Sequence, residues 1–456
     1  MINSTTSSMA EKFDRQIRLW GLEGQAILSS SRVCIVGRCL LSQEILKDLK
    51  LLGLDRITLV CEDKSADESI EELEKQENFL NADGKDINYV LWDKKMMEEP
   101  SFWWNFDIIV VTALSFARLE LLDKMSLPPM LVAFCDEFDG YLRFVSQEPH
   151  FVLHSHRQYA IPDLRLDRPW NDLENALKSL APNASSLDTV HTVPYAAIIY
   201  SAVQDLREAG TRVTRDNIRE CISTVQVSFG PSAAAVNFAQ AKKFAYLGAL
   251  NSLSIPENIE KCLSFANVPI KLPVNREIQA LVRILHKYLK SEHALNQLPV
   301  EGSIPDMDSS TENYNRLKSV YQRKAAEDIH WLEKIASQEK LDFELTYDVL
   351  TTFCRNIHSL RVMEPSRSAL TATYSPHAAP IEASYYEILQ KLQKKQIGAY
   401  IPPTIGLPAP AFYSMMSITA GLTVQELAKI LTHQFVPVEN TFLFNGLTND
   451  IHAFKT

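Results

Sequence analysis

The sequence predicts an α/β protein in which a parallel sheet with crossover helices is interrupted by a mostly helical inserted domain. Three observations carry that expectation. Strand-like apolar runs alternate with helical spacings through about the first 150 residues, long helical patterns replace them from Pro162, and strand-like segments return after a proline-rich connector. The expected boundaries are residues 1–160, 161–398 and 399–456.

The first element is a helix. Phe13, Ile17, Trp20, Gly24 and Ile27 fall three or four apart, the period of one buried face. Arg15 and Arg18 are three apart, so they project from neighbouring points of the helix surface. Taken alone, that pair reads as a solvated face. Val33 to Val36 is a buried strand, followed by a turn at Gly37. Ser42 to Leu52 carries helical spacing at Ile45, Leu46, Leu49 and Leu52 and stops at Gly53. Arg56–Val60, Ile108–Thr112 and Met130–Phe134 read as three further strands. Between them, Glu62 to Glu77 holds eight acids against two lysines, the pattern of a solvated loop or helix face.

In the insertion, helical patterns run through Tyr195–Ala209, Arg276–Leu289, Tyr314–Ser337 and Ile381–Lys395. Pro402, Pro403, Pro408 and Pro410 then mark a boundary, because proline breaks helix. Phe412 to Leu431 reads as a helix in which Ala420-Gly421 allows close packing. Phe435–Val438 and Thr441–Phe444 flank Glu439-Asn440, a two-residue hairpin signal. A lone hairpin is barely stable, so it is expected to extend the first domain's sheet.

Composition excludes several classes. A net charge of −10 argues against nucleic acid as the main partner. The seven cysteines are odd in number, scattered and without C-x-x-C, which fits a reducing compartment and neither a disulfide framework nor a zinc knuckle. No apolar run approaches the ~20 residues needed to span a bilayer, and the N-terminus lacks the pattern of a secretory signal. The expected location is cytoplasmic, nuclear or both.

Nucleotide folds place glycines between the first strand and helix so that backbone N–H groups can approach phosphates. Here the turn reads Val36-Gly37-Arg38-Cys39-Leu40-Leu41-Ser42, with only Gly37 left. Cys39, Leu40 and Ser42 fill the glycine places, and Leu40 would obstruct a pyrophosphate. The second strand ends in Cys61, with Glu62 and Asp63 following. The fold signal is strong and the site signal is negative.

Lys12 to Gly21 (Lys-Phe-Asp-Arg-Gln-Ile-Arg-Leu-Trp-Gly), Val33 to Gly37 and Glu44 to Lys47 together resemble the adenylation domains of ubiquitin-like-protein activating enzymes. Asp163–Pro169 and Leu298–Met307 narrow the resemblance to regulatory subunits of the neddylation-activating enzyme. Gln425-Glu426, Gln434–Val438 and Asn440-Thr441 are similar to the end of that domain. The resemblance implies a Rossmann-like adenylation fold with a degenerate nucleotide site. It implies a heterodimer whose catalytic subunit holds ATP, Mg and the thioester cysteine, acting on the modifier Nedd/Rub. This chain would bind no cofactor or metal and would contribute an arginine in trans, Arg15 first and Arg18 second.

The family's magnesium acid falls at Ser115, and Cys61 to Leu80 contains no arginine. Activity in isolation is therefore not expected. The competing readings are a self-sufficient adenylating enzyme or oxidoreductase on the same fold, and the regulatory subunit of the sumoylation-activating enzyme. None of the seven cysteines stands beside a convincing catalytic pair. His150, His154 and His156 read as solvent-facing histidines, Asp306 as a turn or cap residue, and Trp103-Trp104 as packing.

Overall fold

The computed structural model describes residues 12–61, 87–93, 97–112, 114, 118, 121–122, 124–136, 138–154, 162–182, 187–229, 236–366 and 410–455. In chain order, α1 (Asp14–Ser30) leads into β1 (Arg32–Val36), α2 (Leu40–Leu52), β2 (Arg56–Cys61) and β3 (Asn88–Leu91). The short α3 (Pro100–Trp103) precedes β4 (Ile108–Val111), β5 (Met130–Asp136), β6 (Asp139–Val145) and β7 (His150–Val152). Helices follow: α4 (Asn171–Leu180), α5 (Tyr195–Glu208), α6 (Arg215–Ser228), α7 (Val236–Lys243) and α8 (Glu257–Ser264). They continue with α9 (Pro273–Leu289), α10 (Thr311–Ala336) and α11 (Tyr347–Asn356). The chain returns through β8 (Arg361–Met363), α12 (Pro410–Thr432), β9 (Thr441–Asn445) and β10 (Asp450–Phe454).

These elements form two compact units. One comprises residues 1–156, 268–276 and 361–456, the other residues 157–267 and 277–360. The first is built on an eight-stranded sheet of order β10-β9-β6-β5-β4-β1-β2-β3. Its β5-β4-β1-β2-β3 half is parallel, with Val36 opposite both Val60 and Val111. Both faces of this half are apolar, as covered parallel sheets require. Val33, Ile35, Leu59 and Val110 face Leu49 of α2 and Leu427 of α12, while Cys34, Val36, Val60 and Val111 pack with Trp103 on the other side. Each such fully buried aliphatic side chain contributes about 1.5–3 kcal/mol.

The sheet is mixed rather than parallel. Two residues separate β5 from β6, too few for a crossover, so the pair is antiparallel and the chain order reverses there. Strands β3, β6, β7, β8 and β10 were not anticipated from the sequence. The terminal hairpin does extend the sheet, through β9 on β6, but its strands are β9 and β10. Phe435–Val438 is not a strand: the Val438 N–H donates to Glu426 Oε2 at 2.7 Å, which binds the segment to α12 instead of a ladder. Gly421 does not mediate close packing either, since a Cβ there meets nothing within 4 Å.

The second unit is helical. Leu173 and Leu177 of α4, Ile199 of α5, Ile218 of α6, Phe238 of α7 and Leu317 of α10 share one core. Ser310 caps α10 by accepting the Asn313 N–H at 3.2 Å, whereas Asp306 is exposed. The Asp163–Pro169 and Leu298–Met307 stretches meet in this unit. Arg165 pairs with Asp163 at 3.1 Å and donates to the Leu298 carbonyl and, at 3.2 Å, to Gln297 Oε1. Asp328, fully buried, accepts from the Val300 N–H at 2.9 Å and from Lys324 at 2.7 Å. The segment Ile381–Lys395, the 398–409 connector and the acidic run from Glu62 lie outside the described residues.

Candidate functional site

Arg15 and Arg18 both lie exposed on α1, and they differ in their partners. Arg18 pairs with Asp14 one turn earlier, at 2.9 Å. Arg15 makes no hydrogen bond or ion pair among the described residues, which leaves its guanidinium available to an outside anion.

What holds this helix was only partly legible. It is not one straight amphipathic rod: Gly21, at φ 75° and ψ 174°, breaks it. That backbone region is essentially closed to side chains. The Trp20 indole N–H donates to Gln25 Oε1 at 3.0 Å across the break, and its ring lies over Gly24, where a Cβ would come within 2.8 Å. Gln25 is 3 % exposed and donates from Nε2 to the Leu52 carbonyl at 3.0 Å; Gln16 does the same to Leu51 at 3.2 Å. Both acceptors are C-terminal carbonyls of α2, groups with no partner inside their own helix. Phe13 packs on Gly53, the left-handed residue that ends α2. From the other end of the chain, Gln434 Nε2 donates to the Trp20 carbonyl at 2.7 Å. These three glutamines position the helix that carries Arg15. Gln16 and Gln434 fall within the motifs that carry the family resemblance, whereas Gln25 had no sequence signal.

The turn after β1 is closed. The Gly37 N–H donates to the Val60 carbonyl at 3.0 Å, and the Cys39 N–H donates to Ser42 Oγ at 2.9 Å. Ser42 is 1 % exposed and returns its hydroxyl proton to the Cys39 carbonyl. Thr112, past β4, donates to the Gly37 carbonyl at 3.1 Å. The Gly37 and Cys39 N–H groups are thus taken by the protein's own oxygens, and Leu40 is half-buried beside them. Ser115 and the residues from Glu62 to Leu80 lie outside the described residues.

The other candidates sort by burial. Burial pushes the Cys34 thiol far up and that of Cys354 up to about 12, which marks both as inert core residues. Among the described residues no three His, Cys, Asp or Glu side chains converge as a metal site. The histidine expectation fails: His150 is 1 % exposed and stacked on His433 at 4.4 Å, and His154 is half-buried against Phe435. Their neighbours are β7 and the segment after α12, pairings made by tertiary structure alone. His156 lies outside the described residues. Trp103 is buried and donates to the Met97 carbonyl, as packing residues do.

Beside Arg15 runs an apolar groove of about 520 Å³, lined by Leu19, Leu51, Gly421, Val424, Ala428 and Phe435 among others. Leu19 and Leu51 are more than half exposed.

No family model matches the chain. It is 32 % identical over 470 residues to the NEDD8-activating enzyme E1 regulatory subunit of Saccharomyces cerevisiae, covering 98 % of this chain and 100 % of the relative. The chain belongs to that family. Regulatory subunits of the NEDD8-activating enzyme from Xenopus laevis and Caenorhabditis elegans are 26 % and 23 % identical, each over at least 97 % of both chains. The mixed α/β sheet with its filled turn is consistent with the Rossmann-like fold expected of NEDD8-activating enzyme regulatory subunits. No helix among the described residues is long and apolar enough to cross a membrane.

Proposed function

We propose that this chain is the regulatory half of a heterodimeric enzyme that activates a NEDD8-type modifier. The catalytic partner holds ATP, Mg and the thioester cysteine, and this chain binds no nucleotide of its own. It contributes Arg15 across the interface. As the modifier's C-terminal carboxylate attacks ATP, charge gathers on the phosphates, and a guanidinium held in place can donate to two phosphate oxygens at once.

The carrying observation is a contrast within one unit: the Gly37 and Cys39 N–H groups of the turn are taken by the protein's own oxygens, while Arg15, exposed on a pinned helix, makes no pair among the described residues. The partner docks at the apolar groove next to that helix, where Leu19 and Leu51 are more than half exposed. The test is modifier-dependent ATP–pyrophosphate exchange with this chain, the catalytic subunit, and the two mixed. Exchange in the mixture only is expected. Exchange by this chain alone would overturn the reading.

A further inference from the structure

A second pocket, of about 390 Å³, opens at the opposite end of the sheet from the Gly37 turn. Arg32 and Arg56, which begin β1 and β2, stand at its mouth with Asp107. Five strand residues separate this edge from Gly37, roughly 16 Å at the usual rise per residue. It is therefore independent of any nucleotide chemistry. Ile27, Pro129, Leu272 and Ile430 supply apolar walls.

The inner end holds two stacked histidines. His433 Nδ1 lies 2.7 Å from the Phe151 carbonyl and so carries the proton there, which leaves Nε2 as an acceptor. His150 has both ring nitrogens buried without a hydrogen-bond partner among the described residues. A buried imidazole with neither nitrogen bonded is costly, and such groups in native proteins call for an explanation. Burial disfavours the charged form of both rings, so the inner end is neutral near pH 7.

The rim charges select the ligand. Asp107 accepts the Arg32 backbone N–H at 2.7 Å and lies 3.5 Å from its guanidinium, which offsets one positive charge. Arg56 is exposed and pairs with nothing among the described residues. The sum is one positive charge. The C-terminal end of α1, with Ile27 and Ser30 on the pocket wall, disfavours anions in proportion to their charge, a dianion more than the monoanion that Arg56 and Arg32 can offset. We infer that the pocket binds a small monocarboxylate with an apolar body and a hydroxyl or carbonyl at its far end. The carboxylate meets Arg56 and Arg32, the body lies along the apolar walls, and the far oxygen meets His150.

The test is calorimetric titration of the full-length chain with 6-hydroxyhexanoate, hexanoate and inorganic phosphate. Saturable one-to-one binding of 6-hydroxyhexanoate is expected, about threefold or more tighter than hexanoate, the worth of one net hydrogen bond. Arg56→Ala, on the surface, should weaken it about tenfold, as loss of a charge-assisted contact does. His150→Phe, which keeps the ring volume, should abolish the preference for the hydroxyl. The inference is overturned by absence of saturable binding, by affinity unchanged in Arg56→Ala, by equal affinity for the two acids, or by phosphate binding as well as the carboxylate.

Discussion

Trp20 and Gln25 are joined by a 3.0 Å hydrogen bond across the break at Gly21, so the two halves of α1 act as one bracket. Gln25 carries the connection on to the Leu52 carbonyl, and Gln434 secures Trp20 from the far end of the chain. Arg15 sits on the half that this bracket holds.

Arg15→Ala should leave heterodimer assembly intact and lower the adenylation rate about 10³-fold, the lower range for an arginine finger. Gel filtration of the mixed subunits and pyrophosphate exchange check the two halves of that statement. Arg18→Ala should change the rate less than threefold or so, because its guanidinium is engaged by Asp14 at the exposed surface. If the order is reversed, the contributed arginine is Arg18.

Gln25→Leu removes both bonds of the bracket while keeping bulk. It leaves the buried Leu52 carbonyl and the Trp20 N–H without their partner, at a cost of about 1–3 kcal/mol each. A lower urea midpoint is expected together with a lower exchange rate, although Arg15 is still present. Full activity in a destabilised variant would separate the bracket from the chemistry.

Gly421 tests the groove. Adding a Cβ meets nothing, and alanine in a helix interior is favoured over glycine by about 0.5–1 kcal/mol. Gly421→Ala should therefore raise the melting temperature of the isolated chain slightly. Gly421→Trp should fill the groove and weaken binding of the catalytic subunit, measured by titration calorimetry. Unchanged affinity would place the partner elsewhere.

The histidine pair sets an acid limit. Burial holds His433 down at about 4 and His150 well below the ordinary imidazole range, the latter also through the charge of His433. The unfolded chain protonates both near 6.5. Their contribution to stability is thus complete above about pH 6.5 and is lost as pH falls toward 4, because there the unfolded state binds more protons. The urea midpoint should fall between pH 7 and 4.5. His433→Asn should show a shallower fall, by on the order of 2–3 kcal/mol at pH 4.5.

Much of the fold was legible because local patterns coincide with tertiary burial. The strands at Val33–Val36 and Ile108–Val111 are apolar on both faces, and α2 stops at Gly53 because only glycine takes φ 94° without strain. The candidate arginines were legible from the motif at Lys12–Gly21, and the closed turn from its missing glycines. The motif ranked Arg15 ahead of Arg18; the structure adds that Arg18 pairs with Asp14 one turn earlier. Strand β6 was hidden because it alternates less cleanly, with Arg143 between Leu142 and Phe144. The terminal hairpin was displaced because Glu426 captures the Val438 N–H, a partner twelve residues away that no turn signal encodes.

The sequence by itself determined the α/β class, the helical insertion and the loss of phosphate-binding glycines, since these follow from periodicity and from which residues permit which backbone. Only the tertiary structure decided which glutamines secure α1, and that His150 is buried against His433. Those outcomes depend on groups brought together from up to 414 positions apart, as Gln434 and Trp20 are. Side-chain hydrogen bonds of that span have no local period and become visible only when the sheet and α12 are in place.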